Sequence, residues 1–159
     1  MYKHLVVAVD GSNTSLLALK HASELAVLLQ AKLTLVTVAN PTEYMALAPE
    51  FLQHGNYEET ARVQGQAVLD KALAEAQAQG VTELASHMAI SSKGAKDMAQ
   101  LLVDYANEHS ADAIVLGTHG RSGLMHLLMG SFAETVMRLS TLPLLVIRND
   151  QKETQSDDD

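Results

Sequence analysis

Apolar residues fall along this chain in short blocks separated by longer segments with helical spacing. Leu5–Asp10 (LVVAVD) is short, Val-rich and ends at Asp10-Gly11-Ser12, which reads as a buried strand stopping at a turn. In the following NTSLLALKHASELAVLLQ, residues Leu16, Leu19, Ala22, Ala26 and Leu29 share one helical face, with Ser, Asn and Thr available as caps. Leu33–Val38 is a second strand that ends at Asn40-Pro41. Residues 41–57 hold Pro41, Pro49 and Gly55 and show no period, so an irregular, mobile flap is expected there. Tyr57 to Gln79 reads as a long helix despite Gly65, with Gly80 as its stop. Leu84–Ile90 is a weaker third strand, Ala95–His109 an amphipathic helix and Ala113–Gly117 the fourth strand. After a glycine-rich loop come a helix over Ser131–Ser140 and a fifth strand over Leu142–Ile147.

Strands that are apolar throughout and separated by helices are those of a parallel sheet covered on both faces. Right-handed crossovers then make a doubly wound α/β domain, which binds ligands beyond the carboxyl ends of its strands. Pro143 has no N–H for a ladder, so the fifth strand belongs at an edge, where a second copy of the chain would cover it. One domain over residues 1–149 and a charged tail over 150–159 account for the chain.

Charge and composition narrow the partners. The net charge of −8 is shared between the tail, which carries −4 and is expected to be disordered, and the rest, which carries the other −4. That balance argues against nucleic acid and acidic membranes as partners, but not against a small anion held by backbone N–H groups. Cysteine is absent, which removes disulfides, thiol catalysis and Cys-bound metals. The apolar run in MYKHLVVAVDGS is short for a signal peptide, and no run reaches a membrane span, so a cytoplasmic location is expected. The seven histidines lack H-x-x-x-H spacing, so a protein-built zinc site is not expected.

Chemistry concentrates in GTHGRSGLMHLLMGSFAE, residues 117–134. Four of the nine glycines lie here (Gly117, Gly120, Gly123, Gly130), between a strand and a helix. Glycine lets backbone approach a ligand, and a helix start offers free N–H groups and a positive dipole end. Ser131 and Glu134 have capping-box spacing. These features fit a phosphate site, and equally a flexible connection into a well-capped helix. Arg121 is either a bidentate phosphate ligand or a solvated surface residue, and His119 either a phosphate donor or an exposed loop histidine. The apolar Leu124, Met125, Leu127, Leu128 and Met129 are expected to pack against the domain or a partner. Asp10 either meets a ligand at the first strand's carboxyl end or bonds the amides of its own turn. No G-x-x-x-x-G-K-[ST] occurs, and no G-x-G-x-x-G follows the first strand, so neither a P-loop nor a dinucleotide site is present.

Gly117-x2-Gly120-x9-Gly130-Ser131 resembles the G-x2-G-x9-G-[ST] motif of the universal stress protein family. HLVVAVDGSNTSLLAL, ADAIVLGTHGRSGL and GSFAETVMRLSTLPLLVIR are also similar to that family's segments, and the resemblance covers about residues 2–148. It implies a five-stranded parallel sheet in order 3-2-1-4-5, Rossmann-like and related to the adenine nucleotide hydrolases, dimerising through its fifth strand (Leu142–Ile147). It further implies ATP binding. Gly120, Gly130, Ser131 and the Phe132 backbone would hold phosphates, Arg121 would meet the terminal one, and Gly117 would line the ribose side. Asp10 would contact the nucleoside, Val9 and Val38 would flank adenine, and Mg²⁺ or Mn²⁺ could arrive with the phosphates. ATP would then act as a bound signal for a regulatory stress factor, which could also engage an unidentified protein partner. No activated nucleophile or general base stands near the loop, which argues against an efficient enzyme. A slow ATPase, self-phosphorylation at Ser131, and a nucleotide-independent dimerising module remain as alternatives.

Overall fold

The computed structural model describes residues 1–47, 56–119 and 129–149. The strands are β1 (His4–Ala8), β2 (Lys32–Ala39), β3 (Leu84–Ile90), β4 (Ala113–Gly117) and β5 (Leu144–Ile147). The helices are α1 (Asn13–Leu29), α2 (Pro41–Leu47), α3 (Tyr57–Ala78), α4 (Ala95–Glu108) and α5 (Ser131–Leu139). The five strands form one sheet in the order β3-β2-β1-β4-β5, every pair parallel.

Alternation along the strands builds two cores. Leu5, Val7, Leu33, Leu35 and Val115 point to one face, where Ala18, Ala22 and Ala26 of α1 and Leu69, Ala72 and Ala76 of α3 cover them. Val6, Val36, Ile114 and Leu116 point to the other, under Ala99, Leu102, Val103 and Ala106 of α4 and Ala133 and Val136 of α5. Small alanines on the inner helix faces let the helices lie close to the sheet. Each fully buried Val, Leu or Ile side chain then contributes roughly 1.5–3 kcal/mol through removal from water.

Several boundaries differ from those expected, each for a local reason. β1 stops at Ala8, with Val9 and Asp10 just beyond it, although the Val9 N–H still donates to the Val36 carbonyl at 2.9 Å. β5 begins at Leu144 rather than Leu142. Pro143 precedes the strand, and its carbonyl accepts from the Ile114 N–H at 3.0 Å. The start of the expected irregular flap is the helix α2. Pro41 occupies its first position, where its missing N–H costs nothing. The Asn40 side chain accepts from the Thr42 N–H at 3.1 Å and the Thr42 hydroxyl at 2.6 Å. Residues 48–55 and the tail 150–159 lie outside the described residues. α3 runs unbroken through Gly65, and Gly80 ends it in the left-handed region at φ +97. Among the described residues no helix is long and apolar enough to cross a membrane.

Candidate functional site

The chain leaves β1 toward β2 on one side and later returns to β4 on the other, so the sheet's topological switch lies between β1 and β4. In such a sheet the crevice opens beyond the carboxyl ends of the strands at that point. A cavity of about 230 Å³ lies there.

Seven of the nine candidate ligand residues line this cavity. Val9 and Asp10 come from the end of β1, Val38 from β2 and Gly117 from β4, with Gly130, Ser131 and Phe132 at the start of α5. Gly120 and Arg121 lie outside the described residues, as do Gly123, Leu124, Met125, Leu127 and Leu128. Met129 packs against the core beneath α4 and α5. His119 also lines the cavity, with its Nδ1 at 3.0 Å from the Thr118 hydroxyl.

Asp10 bonds its own turn, as one of its two expected roles required, and it also lines the cavity. Its Oδ1 accepts from the Ser12 N–H at 2.9 Å and from the Ser12 hydroxyl at 2.6 Å, which sets the turn into α1. Ser12 then caps α1, accepting from the Ser15 N–H at 3.2 Å, and the Ser15 hydroxyl accepts from the Asp10 N–H at 3.0 Å. These bonds hold Asp10 at the rim of the cavity and fix its orientation relative to β1.

The expected capping box at α5 does not form. Gly130 is the N-cap, in extended backbone, and the first turn has no side-chain cap. Glu134 instead pairs with Arg138 one turn on, at 2.9 Å. The i,i+4 geometry brings those two charges together on the exposed helix face, away from the helix start. The opening N–H groups of α5 therefore meet the cavity with no carboxylate of their own across them. The Gly130 N–H donates to the Thr118 carbonyl at 2.6 Å, which draws the two ends of the glycine loop together.

A model of the universal stress protein family matches residues 1–148. The chain belongs to that family. It is 33% identical to a universal stress protein of Methanocaldococcus jannaschii, over 96% of this chain and 86% of that protein. Among solved structures, it resembles the universal stress protein from Archaeoglobus fulgidus in complex with dAMP, with 25% identity and a TM-score of 0.66 over 92% of this chain and 98% of that one. It also resembles a universal stress protein in complex with cAMP, with 28% identity and a TM-score of 0.65 over 92% and 97% of the two chains.

In this universal stress protein the cavity wall also holds residues that the motif did not indicate. Asn40, just ahead of α2, and Tyr44 within it line the cavity; α2 is a seven-residue helix too short to show a period. Ala61, Gly65 and Val68 form one face of α3 along it, and Thr37 reaches it from β2. Their only signal in the sequence was a glycine inside an otherwise helix-favouring run. The charged lining residues among those described are Asp10 and Glu43, and no Lys or Arg is among them. An anion would therefore rest on backbone N–H groups and the α5 dipole, with Arg121 outside the described residues.

Gly117 and Gly130 serve different physical ends. A Cβ on Gly117 would sit 2.6 Å from Cγ2 of Thr14, so this glycine admits the start of α1 against β4. A Cβ on Gly130 would sit 3.1 Å from the Thr118 carbonyl oxygen, so this one admits the return of the loop.

Proposed function

We propose that this universal stress protein binds ATP in the cleft at the carboxyl ends of β1, β2 and β4, and acts as a nucleotide-responsive regulatory factor in the cytoplasm. The observation that carries the reading is the uncapped start of α5, which faces a cavity shared with Asp10 and Val9. A helix start with free N–H groups stabilises phosphate without requiring a positively charged pocket. The solved relatives in complex with cAMP and dAMP support an adenine nucleotide as the ligand class.

In this reading the phosphates lie against Gly130, Ser131 and the Phe132 backbone, with Gly120 and Arg121 reaching them from the glycine loop. Asp10 meets the ribose, Gly117 lines that side, and Val9 and Val38 flank the base. A divalent cation would come bound to the phosphates. Among the described residues, no group of three His, Asp or Glu is placed to hold one. The chain pairs with a second copy along the exposed edge of β5, which covers that edge's unpaired backbone.

Isothermal titration with ATP in the presence of Mg²⁺ tests the binding. Saturable heat at one site per chain is the expected result, and none at ligand concentrations up to the millimolar range overturns the reading.

A further inference from the structure

We infer that Thr37, on the strand β2 beside Gly65 of α3, reads the heterocyclic base of the bound nucleotide and makes the cleft selective for purines. This rests on the nucleotide reading above and adds the element that tells one base from another.

The direction of the ligand follows from the sheet. The phosphate end of the cleft is the start of α5, beside the carboxyl end of β4. None of the described lining residues comes from β5, so a ligand anchored there can extend only toward β1 and β2. β2 lies two strands from β4, which is on the order of 10 Å at the usual strand spacing. The base end of a nucleotide therefore falls between β2 and α3.

That end is built differently from the rest. Ala61, Gly65 and Val68, spaced to share one face of α3, give it an apolar wall. Gly65 carries no side chain in the middle of a 22-residue helix. A Cβ there would come within 3.1 Å of Sδ and 3.2 Å of Cε of Met88, and 3.6 Å of Cγ2 of Thr37. The glycine thus lets α3 settle on the sheet beside Thr37. Thr37 is only 4% exposed, it lines the cavity, and its hydroxyl bonds to no described residue. Two other buried threonines of the sheet region have partners for their hydroxyls: Thr34 on β2 bonds His4 at 2.7 Å, and Thr118, just past β4, bonds His119 at 3.0 Å.

A hydroxyl can donate to a ring nitrogen and accept from an exocyclic amino group. Adenine offers both along one edge. A pyrimidine held by the same ribose and phosphates is one ring shorter and stops before Thr37. The hydroxyl therefore adds affinity for purines only.

The test is the ATP and CTP affinity of the wild type, Thr37→Val and Thr37→Ser, by isothermal titration, with thermal midpoints to verify folding. Valine keeps the shape and β-branching of threonine and removes only the hydroxyl's hydrogen bonding. One lost hydrogen bond of ordinary strength weakens ATP roughly five-fold. Thr37→Val is expected to show that loss for ATP with CTP unchanged, and Thr37→Ser to stay within about two-fold of the wild type. A Thr37→Val protein that binds ATP as the wild type does, or that loses ATP and CTP equally, overturns the base-reading role while leaving the nucleotide reading in place. A wild type that binds neither nucleotide overturns both.

Discussion

Replacing Gly117 with alanine tests whether this glycine of the loop motif is there for packing. Its backbone is not in the left-handed region, so conformational freedom is not the reason for glycine. The reason is space: the added Cβ would lie 2.6 Å from Cγ2, 3.2 Å from Cβ and 3.2 Å from the carbonyl oxygen of Thr14. Carbon atoms in contact rest at about 3.5–4.0 Å, so α1 and β4 must separate by roughly 1 Å at this point. Thr14 is buried and β-branched, which leaves its methyl little room to turn aside. Overpacking of this kind costs about 1–3 kcal/mol. At this chain length each kcal/mol lowers the melting temperature by about 2–4 °C, so Gly117→Ala is expected to melt several degrees below the wild type. The assay is a double-mutant cycle by urea unfolding. Thr14→Ser removes Cγ2 at a cost of about 0.8 kcal/mol for the lost methyl, and also removes the shortest contact. The double variant is expected to be more stable than the sum of the single losses by at least about 0.5 kcal/mol. A Gly117→Ala protein as stable as the wild type, or strictly additive losses, would refute the packing argument.

Two further outcomes follow from other parts of the fold. His4 and His87 are held below the ordinary imidazole pKa, chiefly by burial; nearby Lys32 and His109 add to this at His4, and His109 at His87, while Asp112 and the His109 carbonyl oppose it at His4. The unfolded chain then takes up protons that the folded one refuses, so stability is complete above about 6.5 and falls as the pH drops below it. Urea midpoints should fall between about pH 7.5 and 5.5, and fall less in His87→Phe, which keeps a ring on Tyr105; a midpoint that rises on acidification would contradict the sign. At the sheet edge, Leu145 is 37% exposed on β5; the proposed pairing along β5 predicts a wild type that sediments as a dimer and a Leu145→Lys variant that sediments as a monomer, and equal sedimentation coefficients for the two would remove β5 as the interface.

The fold was legible because its signals are local. Apolar runs such as LVVA and AIVLG belong to strands buried on both faces, and the alanine-rich helices between them show their inner faces by spacing alone. Where two local partners compete, spacing misleads. Ser131 and Glu134 have the separation of a capping box, but Glu134 has Arg138 four residues on, and that exposed pair takes the carboxylate. Glycine at 130, in turn, needs no side chain to open the helix. α2 escaped notice because seven residues span too few turns for a period, and its evidence was the Asn40 cap ahead of Pro41.

The cleft divides along the same line. Val9, Asp10, Val38, Gly117 and Gly130 to Phe132 end strands or begin a helix, positions that topology alone brings to the switch point, and all of them line the cavity. What spacing could not convey is which neighbour each one answers to. Gly117 answers to Thr14 on a helix at the other end of the sequence, and Gly65 to Met88 on the strand β3 beneath α3. A glycine's reason lies in the atom that would occupy its missing Cβ, and that atom is named only once the chain has folded. For Gly117 that atom belongs to the protein itself, so the motif that points to a nucleotide site also contains a residue whose first task is to dock α1. Loss of ligand affinity in Gly117 variants therefore counts for the nucleotide reading only where stability is matched. The Gly117→Ala/Thr14→Ser pair supplies that control.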